Sequence, residues 1–167
     1  SRMITVEGLV NPTGQWYRSE PAQLNLYLGN SGTCSRFLLA TLAHLVNQAV
    51  QMIGSPRLSD RPIRYLVTIL TQHGAEIVGD TFPLTIRKGS GLVGGSDHPF
   101  RFRSDTHSSQ FISSVLMIAP LLKDGATVIV PNEVVSQHFI KLTLETMAKF
   151  GITVTCTQVD DTEHHYI

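Results

Sequence analysis

The chain has 167 residues, with 13 Lys and Arg against 13 Asp and Glu, a pI near 7.0, 42% hydrophobic and 16% charged residues, and a mean hydropathy of +0.07. That length accommodates one ordinary domain, or two small units packed closely together, and the balanced charge supplies no long-range field for nucleic acid or an acidic membrane surface. Cys34 and Cys156 lie far apart without metal-ligand spacing, and no apolar run reaches the roughly 18 residues of a membrane helix, so we expect reduced thiols in a soluble, cytoplasmic protein whose anion sites are local. The opening Ser1-Arg2-Met3-Ile4-Thr5-Val6 carries no leader pattern and enters a strand-like alternation directly, while His165-Tyr166-Ile167 stops inside another; the expectation is a piece cut from a longer protein.

In chain order, strand patterns around Thr5-Val6 and Leu24–Tyr27 lead to Leu28-Gly29-Asn30-Ser31-Gly32-Thr33-Cys34-Ser35-Arg36-Phe37. Here a glycine-interrupted turn meets a helix start: Ser31 or Thr33 can cap it, and its unpaired N–H groups attract negative charge. Ser35 to Val46 places Phe37, Leu38, Leu42 and Leu45 on one helical face, and Ala49 to Ile53 reads as a short buried strand. Pro62 sits at the next helix start, Ile63, Leu66, Val67 and Leu70 form its apolar stripe, and Gly74 is its stop. Two strands follow, Glu76-Ile77-Val78 and Leu84-Thr85-Ile86, joined through Gly79-Asp80.

The order then repeats. After a strand around Phe100–Arg103, Ser108-Ser109-Gln110-Phe111 opens a helix from Ser109 to Leu122, Thr127 to Val130 is a strand, and Ser136-Gln137-His138-Phe139 opens a helix stopped by Gly151. Ile152 to Thr157 and His165 onward are strands. Ser35-Arg36-Phe37 aligns with Ser109-Gln110-Phe111, and Gly74-Ala75-Glu76-Ile77 with Gly151-Ile152-Thr153-Val154. The expectation is an α/β (α+β) chain of repeated βαβαββ units, one over about 20–95 and one over about 96–167. Taken alone, Ser108, Ser109 and Ser136 are helix caps or phosphate ligands, and Arg57 is a solvated loop arginine. His107, His138, His164 and His165 include no i, i+4 helical pair with a third ligand nearby, so no metal site is expected.

Four motifs, Leu-Gly-Asn-Ser-Gly-Thr at 28–33 with Ser35-Arg36, Arg57-Leu58 with Arg61-Pro62-Ile63, Ser108-Ser109-Gln110, and Val135-Ser136-Gln137, stand in the order and spacing of one family. The chain resembles 5-enolpyruvylshikimate-3-phosphate (EPSP) synthase over essentially its whole length. Its last residues, Thr162 to Ile167, look most like the version in the fungal pentafunctional polypeptide of the shikimate pathway. The resemblance implies transfer of the enolpyruvyl group of phosphoenolpyruvate to the 5-hydroxyl of shikimate 3-phosphate, with release of phosphate and without a cofactor or metal. It also implies a longer enzyme of two domains, each of three βαβαββ units, of which this chain is about two units of the shikimate-3-phosphate domain. The expected partners are the two substrates, the third unit and the second domain, with no nucleic acid and no membrane.

By the same resemblance Ser108, Ser109, Gln110, Ser136 and Phe139 hold shikimate 3-phosphate, and Asn30, Gly32, Thr33, Arg57 and Gln110 line the phosphoenolpyruvate pocket, where the herbicide glyphosate competes. A side chain at Gly32 is expected to crowd that pocket. Arg36 is expected to be structural, turned away from ligand, and Arg61-Pro62 to be a helix start. Phe139 replaces a usual tyrosine, Lys141 an aspartate, His138 often a proline and His107 an apolar residue, which marks a divergent member. The family's N-terminal lysine and the acid–base groups of its second domain are absent from these residues, so the chain alone is expected not to turn over. A related enolpyruvyl transferase acting on UDP-N-acetylglucosamine is disfavoured by Ser108-Ser109-Gln110 and the asparagine-glycine-threonine loop; a non-catalytic phosphate-binding or scaffold domain of this fold is the remaining alternative.

Overall fold

A computed structural model describes residues 23–103, 108–132, 134–158 and 163–167; the expected strand around Thr5-Val6 and His107 lie outside them. Strand β1 (Gln23–Tyr27), helix α1 (Gly32–Leu45) and strand β2 (Ala49–Ile53) are followed by a short helix α2 (Pro56–Ser59), helix α3 (Arg64–Gln72) and strands β3 (Glu76–Val78) and β4 (Leu84–Arg87). The second half has strand β5 (Phe100–Arg101), helix α4 (Ser109–Ile118), strand β6 (Val128–Pro131), helix α5 (His138–Lys149) and strands β7 (Cys156–Gln158) and β8 (Glu163–Tyr166). Each half builds one mixed sheet, ordered β1-β2-β4-β3 and β5-β6-β8-β7. In both, the first two strands are parallel across a helical crossover and the last two form an antiparallel pair on them, with Val50 opposite Ile86 in one sheet and Val128 opposite Tyr166 in the other.

The likeness extends to the helix ends. Gly74, at φ +101°, closes α3 while its N–H bonds the carbonyl of Thr71 and that of Ala75 bonds Leu70; Gly151, at φ +80°, closes α5 with the same two bonds to Ala148 and Met147. This is one Schellman cap used twice, and its left-handed position is where glycine is favoured. Boundaries differ from the expected ones at several places: α4 ends at Ile118 rather than Leu122, and β5 at Arg101 rather than Arg103. α1 begins at Gly32 with Ser31 as its cap, because the Ser31 hydroxyl accepts from the Cys34 N–H at 3.2 Å. Pro62 lies outside α3, whose cap is Ile63. The last hairpin starts at Thr155, which exchanges backbone bonds with Ile167, rather than at Ile152.

One continuous apolar core crosses both halves, from Leu39, Met52, Leu66, Leu70 and Ile86 to Phe100, Phe111, Ile112, Leu116 and Val128. α4 is its centre. Every residue of that helix except Gln110 and Met117 is buried, its apolar side chains facing both halves and its buried polar residues being small serines. Two of its three buried serines bond within the core, Ser114 on the Phe111 carbonyl and Ser113 with Thr143 of α5, each at 2.8 Å. Tyr65 of α3 spans the seam, stacking on Phe111 and accepting the Arg103 N–H at 2.8 Å.

The segment joining the halves is pinned by histidines. His44 Nδ1 accepts the Leu92 N–H at 3.2 Å, Val93 donates to the His73 carbonyl at 2.9 Å, and the buried His73 ring stacks 3.6 Å from Phe100. Burial holds the His73 pKa below the usual imidazole value, against the opposing pull of its bond to the Val93 carbonyl and with a smaller contribution from His98.

Candidate functional site

Parallel strands β1 and β2 deliver the first components of the site from their carboxyl ends, where open α/β sheets bind ligands. Leu28 continues the pairing by donating to Ile53, and the Ser55 N–H bonds the Gly29 carbonyl at 2.8 Å, so the loop after β1 and the loop after β2 are tied together. The first carries Asn30, Gly32 and Thr33; the second leads into α2 with Arg57. α2 is seated by fully buried Leu58, which packs on Gly54. Arg61 then returns across the first loop: a Cβ at Gly32 would stand 2.7 Å from its Nη1.

The start of α4 meets the start of α1 from the other half. Ser108 caps α4, its Oγ accepting the Gln110 N–H at 3.2 Å. Gln110 donates through Nε2 to Thr33 Oγ at 3.0 Å. Arg36, one turn into α1, donates from Nη1 to Gln110 Oε1 at 2.7 Å and to Ser108 Oγ at 3.2 Å, and its guanidinium lies 5.0 Å from the Phe111 ring centre. Burial, then the charge of Arg61, lowers the Arg36 pKa. Among the described residues no carboxylate pairs with Arg36, Arg57 or Arg61. Helix starts, with the guanidinium groups of Arg36 and Arg61 that no described carboxylate pairs, leave a positive field that an anion would neutralise.

Thr33, Gln110 and Phe139 line one groove of about 590 Å³ between α1, α4 and α5, which continues over Met117, Leu142 and Phe150. Ser109 is in the first turn of α4 but buried, at 3% exposure, so Ser108 is the more accessible hydroxyl of the pair. Ser136 is exposed one turn before Phe139, with a left-handed φ of +59° that is costly for a side-chain-bearing residue. Arg57 is exposed on α2 and joins none of the bonds around Gln110. No group of three metal-ligating side chains occurs among the described residues.

Arg36 bonds the Pro62 carbonyl, in keeping with its structural reading, and also reaches across to Ser108 and Gln110, which that reading did not include. Its signal was available: Gly32 and Arg36 are four residues apart and share a helix face. Arg61 over Gly32, and His44 and His73 at the joint, had no local sequence signal, because each acts across a tertiary contact.

The family described as EPSP synthase (3-phosphoshikimate 1-carboxyvinyltransferase) matches residues 5–165. A 3-phosphoshikimate 1-carboxyvinyltransferase of Buchnera aphidicola is 41% identical over 148 residues, 87% of this chain and 32% of that protein. The pentafunctional AROM polypeptide of Candida tropicalis is 40% identical over 150 residues, 84% of this chain and 9% of that one. A solved EPSP synthase from Acinetobacter baumannii superposes with a TM-score of 0.64 at 25% identity, covering 86% of this chain and 30% of that chain. The chain therefore spans about a third of the length of the monofunctional curated relatives it matches. With two sheets of one mixed topology, helix starts gathered where α1 meets α4, and a match over nearly all its residues, the chain belongs to the EPSP synthase family.

Proposed function

We propose that this chain is part of a 3-phosphoshikimate 1-carboxyvinyltransferase, supplying one wall of the cleft in which shikimate 3-phosphate and phosphoenolpyruvate meet. The observation that carries the reading is the junction of Thr33, Arg36, Ser108 and Gln110, where two helix starts from different halves share one hydrogen-bonded cluster. Both substrates are anions, and this junction offers hydroxyl, amide and guanidinium donors with no paired carboxylate among the described residues. In this reading Ser108, Gln110 and Phe139 face shikimate 3-phosphate, with Ser109 and Ser136 at the same helix starts. Asn30, Gly32, Thr33, Arg57 and Gln110 form the phosphoenolpyruvate side. Phe139 cannot supply a phenol hydroxyl to the phosphate, which weakens that contact.

The remainder of the enzyme is the partner. α4 packs against α1, with Tyr65 of α3 on Phe111; the equivalent groove on the second half, between α4 and α5, is uncovered and exposes Met117, Phe139, Leu142 and Phe150. A third equivalent unit would seat a helix there, which is the role we assign to it, and the second domain would supply the proton-transfer groups.

Calorimetric titration of shikimate 3-phosphate into the chain, beside a Ser108→Ala/Ser109→Ala variant, tests the reading. Binding by the parent that is lost in the variant is expected; equal binding by both would refute the serine assignment. Phosphate release from both substrates by the chain alone would overturn its incompleteness, and binding without turnover by the complete polypeptide would favour a non-catalytic domain.

A further inference from the structure

We propose that Arg36 is a positioning residue that turns Ser108 and Gln110 into donors only, fixing the hydrogen-bond polarity of the cleft for anions. The inference rests on the reading of this junction as a phosphate-binding site. Arginine has no acceptor, so the Gln110 atom 2.7 Å from Arg36 Nη1 is the carbonyl Oε1 and the side-chain NH2 is turned the other way. One of its hydrogens goes to Thr33 Oγ, at 3.0 Å, and the second remains for a ligand. Ser108 is fixed by the same logic. Its Oγ accepts from Gln110 N–H and from Arg36 Nη1, both at 3.2 Å, which uses both lone pairs and leaves the O–H to donate.

Arg36 is held for this task from three sides. Its Nη1 carries two hydrogens, one for each partner; Nη2 donates to the Pro62 carbonyl at 3.4 Å; and the guanidinium plane rests 5.0 Å from the Phe111 ring centre. Without it the Gln110 amide can rotate and the Ser108 hydroxyl can turn inward, so each can present a lone pair to an anion and repel it. An arginine that acted only as a bare positive charge would leave those two orientations free.

A double-mutant cycle separates the two roles. Shikimate 3-phosphate is titrated calorimetrically into the parent chain, Arg36→Met, Ser108→Ala/Gln110→Met, and the triple variant. The expected result is at least about a tenfold affinity loss from Arg36→Met in the parent, falling below about twofold once Ser108 and Gln110 are gone. An equal loss in both backgrounds overturns the proposal, because Arg36 then acts as a direct charge. Where Arg36→Met does not fold, the cycle runs with Arg36→Lys, whose single ammonium has no second nitrogen to anchor on the Pro62 carbonyl and so holds Gln110 and Ser108 less firmly; the expected loss is about threefold, again abolished in the doubly substituted background, and no loss, or a loss that persists there, overturns the proposal. A ligand-free readout stands beside it: the nuclear Overhauser effect between the Gln110 side-chain NH2 and the Thr33 methyl, expected in the parent and lost in the Arg36 variant. If the parent binds no shikimate 3-phosphate, the functional reading fails, and this contact still decides the role of Arg36: its persistence without the arginine refutes the inference.

Discussion

Replacing Gly32 with alanine is expected to separate folding from ligand binding. Gly32 is the first residue of α1 and is buried, and an added methyl would stand 2.7 Å from Arg61 Nη1, 3.5 Å from its Cδ and 3.6 Å from its Cζ. The obstructing atoms are the end of an exposed side chain, so Arg61 swings out and the backbone stays. Alanine gains about 0.5–1 kcal/mol over glycine inside a helix, less at its first residue, which offsets the displacement. Net stability is therefore expected to change by no more than about 1 kcal/mol in either direction. Anion binding responds differently. In the proposed reading Gly32 lines the phosphoenolpyruvate side, so the added methyl and the displaced Arg61 side chain both crowd that pocket, and phosphoenolpyruvate affinity should fall at least about tenfold. Urea unfolding and calorimetry on the same protein measure both quantities. A stability loss well beyond about 1 kcal/mol, or unchanged affinity in a fully folded variant, refutes the reasoning.

The twin caps give an internal control: Gly151→Ala meets nothing within 4 Å and should cost about 1–2 kcal/mol for its backbone alone, whereas Gly74→Ala also places its Cβ 3.2 Å from the Gly91 carbonyl and should cost more, as urea midpoints will show. His73 has a folded pKa below its unfolded value, so the unfolded chain takes up the proton first. Its contribution to stability is complete above about pH 6.5 and is lost as pH falls through the folded pKa; His73→Phe, which keeps a ring against Phe100, should flatten the fall in unfolding free energy between neutral and mildly acidic pH. Phe111→Ala removes a fully buried ring shared by Tyr65 and Arg36, with an expected loss of about 3–5 kcal/mol in denaturant titrations.

What could be read from the residues was what is encoded locally. The alternation at Ala49–Ile53, the stripe Leu66, Val67 and Leu70, and the stops at Gly74 and Gly151 each contain their own instruction, and the order of elements followed from them. α2 was missed because a four-residue helix has too little periodicity to register; what holds it is the tertiary contact of Leu58 with Gly54. Around the site, the motif residues Thr33, Ser108 and Gln110 do converge. Sequence spacing could not tell that Ser109 would be buried while Ser108 stayed accessible, nor that Arg36 would cross from one half to bind the other, since both depend on how α1 meets α4.

The single core that runs through both sheets makes the halves mutual templates. Phe100 and Phe111 of one half are enclosed by His73 and Tyr65 of the other, so neither sheet can complete its packing alone. Severing the chain between Lys88 and His98 would leave two pieces that each expose the surface the other requires. Co-expressed, they should reassemble by complementation; expressed singly, each should be insoluble. Repetition of a simple unit has thus produced obligate companions rather than two independent modules.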